Sequence, residues 1–135
     1  MKLSKVEHVA IAVKDIDQAM QLYLDVFGLE LEETEVFEEY HAKVALLRLG
    51  DCLIELIQGT IPESEYTKFV EERGEGLHHI CFEVDDIEKA LREIEKKGVT
   101  LVDSTSKRGH QGSKIAFLDP SGANGVLLEL CEKPK

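Results

Sequence analysis

Two stretches of this chain carry the same order of apolar and polar positions. "HVAIAVKDIDQAM" (His8 to Met20) lies over "HICFEVDDIEKAL" (His79 to Leu91) without a gap. In each, a histidine opens a short apolar run with β-branched residues, which fits a strand buried on both faces. An acidic turn follows, and then apolar positions at helical spacing. Asp15, and Asp85 or Asp86, are the expected helix N-caps, with Gln18 and Glu88 placed to close capping-box-like turns. The first helix would bury Ile16, Ala19, Met20 and Tyr23, and the second Ile87, Leu91 and Ile94. Gly28 and Gly98 stand where C-terminal caps belong.

Toward the end of each half a second match appears. "LIELIQ" (Leu53 to Gln58) lies over "LLELCE" (Leu127 to Glu132) and sets Glu55 on Glu129. Before it, "LELEETEVF", "YHAKVALLRLG" and "CLIELIQ" read as three strands. "VTLVDST", "SKIAFLDP" and "GVLLELCE" are their counterparts. The turns "LGDC" and "DPSGANG" supply the Gly, Asp, Asn and Pro that tight turns need. The internal repeat therefore predicts an α+β fold of two βαβββ modules, about 4–60 and 76–133, within a single domain spanning 1–135. The modules are expected to be related by pseudo-twofold symmetry, with a curved sheet around a metal-binding cleft. Gly59 to Gly76 joins them and is expected to hold a short helix from Ser64 to Glu72.

Strand alternation turns this pattern into candidate chemistry. His8, Ala10 and Ala12 share one face of their strand. The larger Val9, Ile11 and Val13 share the other and should pack under the helix. His79, Cys81 and Glu83 likewise share a face, so His79, not its neighbour His78, is equivalent to His8. Glu55 and Glu129 each sit inside an apolar strand, where an ionised carboxylate is costly to bury without a partner. A lone histidine or glutamate in a strand is usually structural, but both types recur at matched positions. His8, Glu55, His79 and Glu129 are therefore the expected ligands of one divalent ion such as Zn, Ni, Co, Mn or Fe(II), with open positions for water or substrate. His78 is read as a supporting or structural residue, and His41 and His110 as surface or loop residues.

Composition narrows the field without choosing within it. The chain has 135 residues, is 43% hydrophobic and carries a formal net charge of -11. It should fold around a core, and nucleic acid or an anionic membrane is not an expected partner. No signal peptide or membrane span is expected. The three cysteines, Cys52, Cys81 and Cys131, lie in apolar contexts without a C-x-x-C pair, which reads as buried thiols in a reducing cytoplasm.

"GLHHICFEVDDI" (Gly76 to Ile87), "GHQGSKIAFLDP" (Gly109 to Pro120) and "GVLLELCE" (Gly125 to Glu132) resemble the methylmalonyl-CoA epimerase family. That family lies within the vicinal oxygen chelate (glyoxalase/bleomycin resistance/dioxygenase) superfamily, and the resemblance covers essentially the whole chain. It implies that the metal ligands are His8, Glu55, His79 and Glu129. It further implies an activity: interconversion of (2R)- and (2S)-methylmalonyl-CoA by removal and return of the C2 proton through a metal-stabilised enolate. Homodimerisation is also expected from the family. Glu129 is the expected catalytic group, and Glu39, His41 and Lys43 are candidates for a second acid or base. Lys107, Ser113 and Lys114, with Arg108, are the expected contacts to the acyl-CoA substrate. The chain departs from the family pattern at Asp119-Pro120-Ser121, where His-Pro-Lys is common, and at Tyr40-His41, where Gln-Gly or His-Gly is common. Alternatives are a glyoxalase I-type lactoylglutathione lyase, a ring-cleaving dioxygenase, or a non-catalytic binding member of the superfamily.

Overall fold

The computed structural model describes all residues from Met1 to Lys135. Eight strands and three α-helices follow one another as β1 (Lys5–Ala12), α1 (Ile16–Met20), β2 (Glu30–Phe37), β3 (Ala42–Leu49), β4 (Cys52–Gly59), α2 (Glu65–Arg73), β5 (Gly76–Glu83), α3 (Ile87–Lys96), β6 (Lys107–Arg108), β7 (Lys114–Phe117) and β8 (Leu128–Glu132). Contacts divide the chain into two units, one of His8–His78 and one of Met1–Glu7 with His79–Lys135. Both divisions fall immediately before an equivalent histidine of the repeat.

In the unit His8–His78 the strands run in the order β2-β3-β4-β1. β1 is parallel to β4, and β3 is antiparallel to both β4 and β2. α1 covers one face, where Ile16 packs with Val13, Ala45, Leu47 and Leu56. The other face holds Ala12, Val44, Leu46, Leu53 and Ile57, and Tyr66 and Val70 of α2 pack onto it. In the second unit the order is β5-β8-β7-β6. α3 buries Ile87, Ala90, Leu91 and Ile94 against Ala116, Leu118 and Leu130. Full burial of an Ile or Leu side chain contributes roughly 1.5–3 kcal/mol, so these helix faces carry much of the stability. The opposite face of that sheet holds Cys81, Ile115, Phe117 and Cys131.

The helix ends follow from the repeat. Asp15 accepts from the amides of Asp17 and Gln18, and Asp86, not Asp85, caps α3 by accepting from Lys89 N. The Glu88 carboxylate, expected to close a capping box, instead accepts from Ser106. The first helical amides are satisfied from a distance. Gln58, at the end of β4, accepts from Ile16 N at 2.9 Å, and Glu132, at the matched end of β8, accepts from Ile87 N at 2.9 Å. α1 relaxes into a π-helical turn over Gln21–Val26. Gly28 (φ 72°) and Gly98 (φ 85°) then reverse the chain in the left-handed region that glycine tolerates. α2 starts at Glu65 behind the Ser64 N-cap, close to the expected Ser64 to Glu72.

One expected strand is absent. "VTLVDST" makes only an isolated bridge, Leu101 to Leu118, and the two-residue β6 begins later, at Lys107. The cause is local. Asp103 Oδ2 accepts from Phe117 N at 2.9 Å, and the amides of Val102 and Asp103 both donate to Phe117 O. A side chain thus replaces the ladder acceptor that β7 would otherwise find on a neighbouring strand.

Candidate metal centre

The histidines and glutamates of the repeat emerge as one buried pair in each unit. β1 and β4 are in parallel register, with Ala10 beside Glu55 and His8 beside Leu53, so His8 and Glu55 point to the same face one step apart. His8 Nε2 lies 3.8 Å from Glu55 Oε1, and the two residues are 1% and 5% exposed. In the second unit β5 and β8 pair Cys81 with Glu129, which sets His79 one step away on the same face. His79 Nε2 lies 3.5 Å from Glu129 Oε1, and both residues are buried. The Phe117 ring meets the His79 ring edge-on at 5.2 Å and fixes its plane.

These spacings are longer than an N–H···O bond of about 2.9 Å. They are closer to the edge between two ligands of one ion when each bond is about 2.0–2.2 Å. An imidazole nitrogen and a carboxylate oxygen are ligands of borderline divalent metals. Each unit thus offers a donor pair of the right type, buried and aimed to one face.

The surroundings are apolar. Cys81 and Cys131 flank Glu129 on its own face, and all three cysteines are free. Burial raises the Cys81 thiol well above its ordinary value, and the Cys131 thiol and Glu129 carboxylate push it further the same way. These thiols act as small core residues.

The other candidates separate by face. His78 is half-buried and stacks between Tyr66 and Phe69 of α2, with ring centroids 4.8 Å from each, so it holds α2 in place. Lys107 pairs with Ile115 across β6 and β7, on the face of Glu129, and its ammonium lies 5.2 Å above the Phe117 ring. Ser113 is buried, and its hydroxyl has no hydrogen-bond partner. Lys114 does not join them. It pairs with Glu132 on the opposite, helix-covered face, 3.9 Å from that carboxylate, because it is one residue out of step with Ile115. Arg108 pairs with Lys114 and so shares its face. Of the expected second acids or bases, Lys43 pairs with Gln58 on the face away from Glu55. Glu39 and His41 are exposed in the turn before β3, where His41 takes φ 50°.

His110 corrects the sequence reading. It is a buried residue, not a surface one: 3% exposed, with Nε2 2.8 Å from Glu7 Oε1. Lys133 Nζ lies 2.7 Å from Glu7 Oε2. Glu7 was not singled out from sequence. The signal was an acidic residue entering an apolar strand, which needs a cationic or hydrogen-bonding partner once buried. His110→Ala takes one of two partners from the buried Glu7 carboxylate and leaves only Lys133, so it is expected to destabilise the fold by about 1–3 kcal/mol. Lys133 is 31% exposed, and Lys133→Ala should cost clearly less. Urea unfolding of the two variants checks the order.

The model of the glyoxalase/bleomycin resistance protein/dioxygenase superfamily matches residues 7–117. The chain belongs to that superfamily. It is 35% identical to the mitochondrial methylmalonyl-CoA epimerase of Mus musculus over 96% of this chain and 73% of that protein. It is 32% identical to the ethylmalonyl-CoA/methylmalonyl-CoA epimerase of Cereibacter sphaeroides over 95% of this chain and 97% of that one. Among solved structures, a Streptomyces coelicolor methylmalonyl-CoA epimerase variant in complex with 2-nitronate-propionyl-CoA superposes with a TM-score of 0.95. It is 33% identical and covers 98% of this chain and 96% of its own. This superfamily member has eight strands and three α-helices, and no helix is long and apolar enough to cross a membrane.

Proposed function

We propose that the chain is a divalent-metal-dependent epimerase that interconverts (2R)- and (2S)-methylmalonyl-CoA. The observation that carries this reading is the buried His–Glu pair repeated in each unit, His8 with Glu55 and His79 with Glu129. The nearly full-length likeness to epimerases, one of them holding an acyl-CoA, supports the substrate. In this reading the two pairs hold one ion together.

C2 of a methylmalonyl thioester lies between a thioester and a carboxylate, so its proton is acidic. A divalent ion held by these four residues supplies Lewis-acid neutralisation of the negative charge that develops on the substrate oxygens. Glu129 takes or returns the C2 proton on one face of the enolate, and a group on the opposite face completes the inversion. The apolar wall of Ile115, Phe117 and the two thiols keeps water from the carbanion. Lys107, on the face of Glu129, and the buried Ser113 contact the acyl-CoA in this reading. A homodimer and a cytoplasmic setting complete the reading. Three free thiols fit a reducing compartment, and light scattering measures the assembly.

Metal-loaded protein in deuterated water is expected to place deuterium at C2 of either epimer. Chelation should remove at least 100-fold of that rate, and added metal should restore it. A loaded protein that exchanges neither epimer defeats the proposal. Thioester formed instead from the hemithioacetal of methylglyoxal and glutathione would move the assignment to a lyase.

A further inference from the structure

Beside the candidate ligands the two halves of the chain differ. In the second unit Cys81 follows His79 by two residues and Cys131 follows Glu129 by two, so both thiols stand one step further along the same face. In the first half the matched places hold Ala10 and Ile57, plain apolar side chains. Packing alone therefore does not call for sulfur there. A third group joins the thiols. Glu7, which closes the Met1–Glu7 part of the same unit, brings a carboxylate oxygen within 4.8 Å of both sulfurs, and the sulfurs lie within 4.8 Å of each other. Glu7 is 2% exposed and both cysteines 0%.

Register decides what such a trio can hold. Cys81 pairs with Glu129 and Cys131 with Glu83, so the two cysteines are diagonal neighbours on β5 and β8. Strands about 4.8 Å apart, rising about 3.3 Å per residue, set their Cα atoms about 8 Å apart. A disulfide needs about 7 Å or less, so the thiols are badly placed to bond to each other. One ion joins them without that strain. Two thiolates on a tetrahedral ion, each at about 2.3 Å, stand about 3.8 Å apart, inside the 4.8 Å found here. Glu7 is held ready as a third donor. His110 Nε2 at 2.8 Å and Lys133 Nζ at 2.7 Å fix its two oxygens, as outer partners fix a ligating carboxylate. The charges also balance. Two thiolates neutralise a divalent ion, and the Glu7 charge stays with Lys133. Ionising two buried thiols is costly, so only an ion with strong bonds to sulfur offsets it.

The geometry points to a second ion site, made by Cys81, Cys131 and Glu7, that takes a thiophilic divalent cation of the cadmium class. On binding, each thiol releases its proton to solvent and each sulfur forms a bond to the ion. Nothing is oxidised or reduced. Without an ion the same thiols fill the core. The site stands whether or not the chain is an epimerase.

The test titrates cadmium into the full chain as wild type, His79→Ala, Cys131→Val and Cys52→Ser. Binding is read together with thiolate-to-cadmium charge-transfer absorption, and thermal unfolding is measured on every protein. Wild type and His79→Ala are expected to reach the same thiolate absorption, because His79 is no part of this site. Cys131→Val should weaken the thiolate-bound cadmium by about 100-fold or more, beyond the loss typical of a supporting residue. Cys52, half-buried in the other unit, serves as the control, and Cys52→Ser should match wild type. X-ray absorption at the cadmium edge of loaded His79→Ala should count two sulfurs. That count decides the matter if Cys131→Val does not fold. Absence of thiolate absorption in wild type overturns the site, as does a single sulfur at the cadmium. Absorption that vanishes in folded His79→Ala would make Cys81 a ligand of the His79 centre instead. Absorption that follows Cys52 would mark a surface thiol binding cadmium by chance.

Discussion

His79→Ala is expected to lose its metal on dialysis and to exchange the C2 proton at the background rate, whereas His78→Ala keeps its metal and most of its exchange. The two residues are adjacent, and strand geometry separates their roles. His79 is buried 3.5 Å from Glu129 with its ring held by Phe117. Alanine there removes one nitrogen ligand and leaves a buried carboxylate without its imidazole neighbour. His78 stacks on Tyr66 and Phe69. Its removal costs about 0.5–1.5 kcal/mol of ring contact and loosens α2 without touching the donor set. Metal analysis of dialysed protein and deuterium uptake at C2 read both effects. Equal metal loss from the two variants would mean that alternation along β5 does not select the ligand.

The second large effect is expected at Glu129. In Glu129→Gln the amide oxygen still serves as a ligand, but the residue no longer takes a proton at neutral pH. Exchange from the epimer that Glu129 deprotonates should fall by about 10²–10⁴-fold, with much of the metal retained. Glu55→Gln is the informative contrast. Glu55 sits at the matched position of the other unit, 3.8 Å from His8, and is assigned only as a ligand. Its loss of rate should be far smaller and should follow metal occupancy, so excess metal recovers it. Parallel losses in the two variants, both recovered by metal, would show that Glu129 is a ligand alone.

Much of this was readable from local order. A period-two pattern assigns a face to every residue of a strand before its partner is known. That is why His8 and His79, and Glu55 and Glu129, could be paired by overlaying the two halves. The same overlay contained Gln58 over Glu132. Their shared role, capping the first amide of each helix, became visible only when β4 and β8 were set beside α1 and α3. "VTLVDST" shows the limit in the other direction. Its composition suits a strand, yet Asp103 supplies the hydrogen bond itself, and a side-chain competitor of that kind leaves no trace in periodicity.

The sequence by itself determined the repeat, the helices, all but one of the expected strands and the face of each candidate ligand, with His79 rather than His78 on the face of Glu129. These depend on covalent geometry and burial preference within a few residues. Tertiary structure alone decided that His110 and Lys133 meet Glu7 and that Lys43 faces away from Glu55. The physical reason is register. A shift of one residue between neighbouring strands sends every side chain to the other face, and that shift is set by the packing of the whole unit.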